Sequence, residues 1–178
     1  PGGSNPNLFN PTNNDAAAEW AAIVWKHYWT DSVRPLYYEP INEPFVHTGS
    51  LGTDDQGIVD FHAAVMDRVH AEVPGVKVGG PCMAWPVFSL WNYGHFASRM
   101  GRFIDQVGDR TDFLSWHIYS TFYDDGDTES HSVGANADWQ MDLVENYAWN
   151  KTGRRIPLVI SEFGGGFKDF STSTNWGS

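Results

Sequence analysis

LYYEPINEP, residues 36 to 44, is an apolar run that breaks at an Asn-Glu-Pro turn. Three further apolar runs follow at intervals of roughly 40 residues, each ending in a polar or glycine-rich loop. They are Val76 to Gly80, Phe113 to Tyr119 and Pro157 to Ser161. Short buried runs that alternate with helical patterns are typical of a parallel sheet. The spacing therefore predicts an α/β fold.

Helical patterns fill the intervals between these runs. The predicted helices are Asp15 to Tyr28, Gln56 to Glu72, Phe96 to Val107 and Asn136 to Trp149. In the second helix, apolar side chains recur at helical spacing and predict one face that covers the sheet from outside. These side chains are Ile58, Phe61, Val65 and Val69. The chain thus repeats a strand, a loop and a helix.

The number of units bears on the architecture. Four strands are half of the eight that close a (β/α)₈ TIM barrel, and 178 residues fall short of its typical length of roughly 250. We therefore expect residues 1–178 to form a single domain that is the middle to later part of such a barrel. A complete doubly wound open sheet is the alternative, but no glycine-rich phosphate loop follows any strand.

Composition excludes several functions. The formal net charge is −11 with only 11 Lys and Arg residues, which argues against a nucleic-acid partner. No apolar run approaches the length of about 18 residues that suits a membrane span, so no membrane partner is expected. The single cysteine, Cys82, cannot form an intramolecular disulfide, and a small buried hydrophobe is its expected role.

Two glutamates end predicted strands, Glu43 after the first and Glu162 after the fourth. His117 and Tyr119 end the third strand and share one face of it. The carboxyl ends of parallel strands converge on one face of an α/β fold, so these side chains are expected to meet. Two such glutamates are the minimum for hydrolysing a glycosidic bond, because one holds a proton and the other attacks or activates water.

Four segments together resemble the clan of retaining glycoside hydrolases built on (β/α)₈ barrels, clan A. They are Tyr38 to Pro44, Val78 to Pro81, Trp116 to Tyr119 and Ile160 to Phe163. The run from Glu39 to Phe45 and the Trp-rich stretch after the second strand are most similar to the β-agarase and β-porphyranase family, glycoside hydrolase family 86. The Gly-Gly-Pro and His-x-Tyr strands are also similar to the β-xylosidase and iduronidase family.

This resemblance implies that the chain covers about strands four to seven of the barrel. It implies general acid/base catalysis by Glu43 and nucleophilic attack by Glu162. Asn42 would bind the substrate 2-hydroxyl, Tyr119 would orient the nucleophile, and His117 would bind a sugar hydroxyl or support the acid/base. A buried structural role for His117 and simple packing for Tyr119 remain open.

The implied activity is retaining, endo-acting cleavage of β-galactosidic linkages in agarose or porphyran by double displacement. A red-algal galactan is then the polysaccharide partner, and secretion is expected because polymers do not enter cells. Another clan A glycosidase, a noncatalytic carbohydrate-binding module and a catalytically dead piece are the alternatives. The exact polysaccharide, the endo or exo mode, the oligomeric state, accessory domains and activity at this length stay open.

Aromatic residues make up 15% of the chain and suit stacking on sugar rings, although core packing is the simpler role for most of them. The loop candidates for substrate binding are Trp85, Trp91, Phe122, Tyr123, Phe167 and Trp176. His47, shortly after Glu43, could touch substrate or be a plain loop histidine.

No cofactor is required by the implied hydrolysis. The acidic loop from Asp124 to Glu129 lacks the full spacing of a helix-loop-helix calcium site, and solvation is its favoured interpretation. The seven histidines include no His-Glu-x-x-His motif, so a catalytic metal is not expected.

Overall fold

The computed structural model describes residues 13–29, 34, 36–46, 52–84, 96–119 and 133–164, with side chains of the last segment described from 137 to 163. The elements are α1 (Asn14–Tyr28), β1 (Tyr37–Tyr38), a 3₁₀ turn (Pro44–Val46), α2 (Asp55–Glu72), β2 (Lys77–Val78), β3 (Gly80–Met83), a π-helical segment (Ala97–Gly101) that continues into α3 (Arg102–Val107), β4 (Leu114–Tyr119), α4 (Val133–Thr152) and β5 (Leu158–Gly164). The predicted α/β class is confirmed, with a helix between the two strands of each neighbouring parallel pair.

The strands form two small parallel sheets, β1-β2 and β3-β4-β5. The single strand predicted from Val76 to Gly80 is therefore wrong, because the chain changes partner inside it. The amide of Gly79 donates to Tyr38 O, whereas the amide of Gly80 donates to Phe113 O. A Cβ at Gly79 would lie 2.5 Å from Phe113 O, so only glycine allows the backbones to approach this closely.

The fourth predicted strand is longer than expected. It continues past Ser161 to Gly164, because β4 supplies pairing partners along its whole length. Glu162 pairs with His117 inside this ladder, and Gly164 pairs with Tyr119. The glutamate is thus held by strand pairing instead of lying in the following loop.

The core lies between the helices and the sheets. All four apolar side chains predicted to form one face of α2 are buried: Ile58, Phe61, Val65 and Val69. Trp116 of β4 is fully buried, and its indole N–H donates to Gln140 of α4 at 3.0 Å. Trp116 therefore packs under α4.

One polar side chain lies deep in this core. His62 of α2 is fully buried, and its ring meets those of Phe61 and Phe103 edge-on. Neither ring nitrogen has a hydrogen-bond partner in the part of the chain that the structure describes. Burial lowers the pKa of His62 to about 3, so the ring is neutral throughout the physiological range.

Within the described segments, no helix combines the length and the apolar character needed to span a bilayer.

Candidate active site

Glu43 is presented by a constrained turn after β1. Its backbone has a φ of 44°, in the left-handed region that non-glycine residues seldom adopt. Its amide donates to Cys82 O at 3.0 Å, and its own carbonyl accepts from Val46 at 3.1 Å. Pro44 and Phe45, the next two residues along the chain, are buried. Hydrogen bonds to the amide and to the carbonyl of Glu43 therefore hold the turn in place. The strained backbone conformation of Glu43 makes this turn a candidate functional site.

His117 connects the two glutamates. Its side chain is fully enclosed, with Nδ1 at 2.7 Å from Glu43 Oε1 and 3.5 Å from Glu162 Oε2. The pairing of β4 with β5 shifts register between Trp116 and His117, and such irregularities re-aim side chains at the end of a sheet. One carboxylate oxygen from each of Glu43 and Glu162 and one ring nitrogen of His117 lie within 4.8 Å of one another. The structure thus brings together three of the residues chosen from the sequence.

The two carboxylates differ in exposure. The Glu43 side chain is 25% exposed, and that of Glu162 is 42% exposed.

An imidazole and two carboxylates are also a set of ligands that divalent metal ions accept. A direct hydrogen bond between Nδ1 and Glu43 accounts for the closest contact without an ion. This arrangement suits proton transfer and nucleophilic attack within one small volume.

Cys82 is the residue whose role the sequence interpretation missed. It is buried as expected, but its sulfur has polar neighbours instead of a purely apolar environment. Sγ lies 3.4 Å from Asn42 Oδ1, 3.4 Å from His117 Nε2 and 3.8 Å from Ser161 Oγ. Burial, and then the charge of Glu39, raises the pKa of Cys82 to about 12, so the group is a neutral thiol. Its position two residues after the second predicted strand was the only available signal.

Other predicted site residues have varied placements. Asn42 is exposed beside Glu43. Tyr119 lies in β4 opposite Gly164, with only its backbone described. Glu39, which follows β1, has one buried carboxylate oxygen without a hydrogen-bond partner among the described residues.

Several predictions fall outside the described residues. The loop aromatic and histidine candidates among them are Trp85, Trp91, Phe122, Tyr123, Phe167, Trp176 and His47. The acidic loop from Asp124 to Glu129 is outside them as well. The substrate-binding roles of these residues stay predictions.

Comparison with curated proteins gives three polysaccharide hydrolases. A β-porphyranase A from Phocaeicola plebeius is 36% identical over 159 residues, which are 84% of this chain and 21% of that protein. A funoran endo-β-hydrolase from Wenyingzhuangia aestuarii is 32% identical over 181 residues, 96% of this chain and 23% of its own length. A β-agarase from Pseudoalteromonas atlantica is 30% identical over 139 residues, 74% of this chain and 26% of its own.

Solved structures agree with these relatives. A family 86 glycoside hydrolase variant in complex with neoagarooctaose matches with a TM-score of 0.72 and 28% identity, over 84% of this chain and 25% of that one. A family 86 β-porphyranase from Bacteroides plebeius matches with a TM-score of 0.65 and 30% identity, over 85% of this chain and 27% of that one. No protein-family model matches the chain.

The chain spans 21% to 26% of the length of these curated relatives. Over that part, sequence and structure give the same relationship, and the resemblance drawn from the motifs is confirmed. This chain is a homologue of β-porphyranase, funoran hydrolase and β-agarase, with structural neighbours in glycoside hydrolase family 86.

Proposed function

We propose that this chain carries the catalytic centre of a retaining, endo-acting glycoside hydrolase that cleaves β-galactosidic linkages of agarose or porphyran. One observation carries the proposal: Glu43 and Glu162 converge on the buried ring of His117. A carboxylate oxygen of each glutamate and a ring nitrogen of His117 lie within 4.8 Å of one another. The names of the relatives support the substrate class.

The spacing of the carboxylates favours retention. Retaining glycosidases hold their two carboxyl groups about 5 to 5.5 Å apart, whereas inverting enzymes need about 6.5 to 9.5 Å to admit a water. The oxygens of Glu43 and Glu162 approach within 4.8 Å, on the short side of this division. Direct attack by a carboxylate suits this geometry better than activation of a water.

The first step needs one proton and one nucleophile. Glu162 Oε attacks the anomeric carbon and forms a glycosyl ester, while the bond from that carbon to the leaving oxygen breaks. Glu43 gives its proton to the leaving oxygen, which departs as a hydroxyl group. Glu43 is the more enclosed of the two carboxyl groups, and Glu162 is the more exposed.

The second step reverses these roles. The ionised Glu43 takes a proton from a water molecule whose oxygen attacks the anomeric carbon, and the ester bond to Glu162 breaks. Two inversions at one carbon leave the β configuration unchanged. Asn42, exposed beside Glu43, would bind the 2-hydroxyl of the same sugar, through a hydrogen bond that strengthens in the oxocarbenium-like transition state.

A (β/α)₈ barrel that extends beyond these strands is part of the same proposal. Parallel strands in chain order with helices between them are the repeating unit of that barrel, and catalytic side chains lie at the carboxyl ends of its strands. Secretion belongs to the proposal as well, because a polymeric galactan has to be met outside the cell.

Reducing-sugar release from a panel of polymers tests this function. The panel contains agarose, porphyran, funoran, xylan and carboxymethylcellulose, incubated with the chain alone and with a version extended at both ends by its native sequence. We expect release from agarose or porphyran, with oligosaccharides of intermediate size as early products. Release from xylan alone would favour the β-xylosidase-like alternative, and binding to galactan without release from either version would favour a noncatalytic module.

A further inference from the structure

We propose that Cys82 is a positioning residue of this site, whose thiol decides which nitrogen of His117 carries the proton and thereby keeps Glu43 able to act as an acid. The inference rests on the proposed function. It assigns a role to a buried side chain whose sulfur lies 3.4 Å from both Asn42 Oδ1 and His117 Nε2.

The backbone holds Cys82 in a fixed place. Its φ is 53°, in the left-handed region, and its amide donates to Ser115 Oγ at 3.1 Å. Its carbonyl accepts from the amide of Glu43 at 3.0 Å. The same residue thus contacts the acid/base through its backbone and His117 through its sulfur, which lies 3.4 Å from Nε2.

The hydrogen-bonding capacity of the neighbours sets the direction of each bond. A neutral thiol has one proton to donate, and its sulfur is a weak acceptor. Asn42 Oδ1 can only accept, so the thiol donates to it across 3.4 Å. His117 Nε2 then donates to the sulfur, and this occupies the one ring proton of a neutral imidazole. Nδ1 is left as an acceptor whose nearest neighbour is Glu43 Oε1 at 2.7 Å, with Glu162 Oε2 farther away at 3.5 Å.

An acceptor at Nδ1 requires a protonated partner. Glu43 meets this requirement as a carboxylic acid whose O–H donates to the ring, which is the form needed for the first step of hydrolysis. The opposite arrangement has the thiol donating to Nε2 and His117 donating from Nδ1. That donor would stabilise the carboxylate form of Glu43, so the site would lose its acid.

The surroundings keep the thiol neutral. Among the residues that the structure describes, the titratable groups that face this cluster are Glu39 and Glu43 after β1, His117 in β4 and Glu162 in β5. Burial followed by the charge of Glu39 raises the pKa of Cys82 to about 12. The thiol therefore keeps its single proton at any pH at which the enzyme works, and its donor role does not change.

The first test needs no substitution. In the resting protein, ¹⁵N NMR of the His117 ring should give the shifts of the Nε2–H tautomer. The Nδ1–H tautomer in the wild-type protein at neutral pH would overturn the inference.

The second test uses Cys82→Ala and Cys82→Ser. Alanine removes the sulfur acceptor, so the Nδ1–H form becomes the favoured tautomer of His117. The basic limb of the plot of kcat/KM against pH then moves down by about one pH unit. At pH values above that limb, kcat/KM falls by about tenfold. The acidic limb stays in place. Serine keeps one donor and one acceptor, so it should return the tautomer and the basic limb toward wild type. Thermal unfolding of each variant shows that the comparison is made on folded protein.

The outcomes separate this inference from the proposed function. An unmoved basic limb and an unchanged tautomer in Cys82→Ala would overturn the positioning role, whatever the drop in kcat. A serine variant that behaves like alanine would overturn it too. The variant Glu43→Gln tests the underlying function. Full activity in that variant would reject Glu43 as the catalytic acid. Loss of activity in Glu43→Gln, together with an unmoved basic limb in Cys82→Ala, would keep the proposed function and reject only the role of the thiol.

Discussion

Glu162→Ala is expected to lower kcat on the proposed galactan substrate by on the order of 10⁴-fold or more, the scale on which covalent catalysis is lost when its nucleophile is deleted. The reason is geometric. Glu162 is held in the β5 ladder opposite His117, close enough to Glu43 for the two to act on one glycosidic bond. Hydrolysis is measured as reducing ends released per enzyme molecule.

Azide makes this prediction specific to a nucleophile. In Glu162→Ala the small anion can occupy the space of the missing carboxylate and attack the same face of the sugar, giving a glycosyl azide of α configuration. Glu19→Ala is the matched control, because Glu19 is an exposed glutamate on α1. Its activity should equal that of the wild-type protein. Wild-type activity in Glu162→Ala, or no azide product from a variant that still binds substrate, would contradict the assignment.

His62→Leu is expected to stabilise the protein in acid, by about 2 kcal/mol at pH 5 relative to wild type. The folded pKa of His62, about 3, lies below the value of 6.5 for the unfolded chain. The unfolded chain therefore binds the proton first as the pH falls. Wild-type stability is full above pH 6.5 and declines by about 1.4 kcal/mol per unit until about pH 3, a total of roughly 5 kcal/mol.

Leucine fills a similar volume without a titrating group or an unpaired N–H donor. The free energy of unfolding is measured by urea denaturation from pH 4 to pH 8, and subtracting the variant from the wild type isolates His62 from the carboxylates. His27→Gln is the control for the loss of a histidine from the surface, since His27 is exposed on α1. Equal slopes for wild type and His62→Leu would show that the buried ring does not govern acid stability.

Many features of this fold follow from short-range patterns in the sequence. Ile58 and Val65 are buried because residues at helical spacing share a face, and Trp116 packs under a helix because alternate residues of a strand face opposite sides. The meeting of Glu43 with Glu162 follows from the convergence of parallel strand ends. These inferences need only the period of each element and the order of the strands.

Long-range details were beyond the sequence. The partner change at Gly79 depends on how closely Phe113 approaches, and the shifted register at His117 depends on the pairing of two distant strands. The polar environment of Cys82 arises from residues 35 to 79 positions away along the chain. A lone cysteine in an apolar run gives no sign of such neighbours, so a hydrophobic role was the natural expectation.

The stereochemistry of the product tests the central claim most directly. Proton NMR can follow the anomeric signal of newly formed reducing ends during the first minutes of galactan hydrolysis, before mutarotation mixes the anomers. Retention by Glu43 and Glu162 predicts that the β anomer appears first and the α anomer grows in later. An α anomer that appears first would mean a single displacement by water, and it would contradict a covalent intermediate on Glu162.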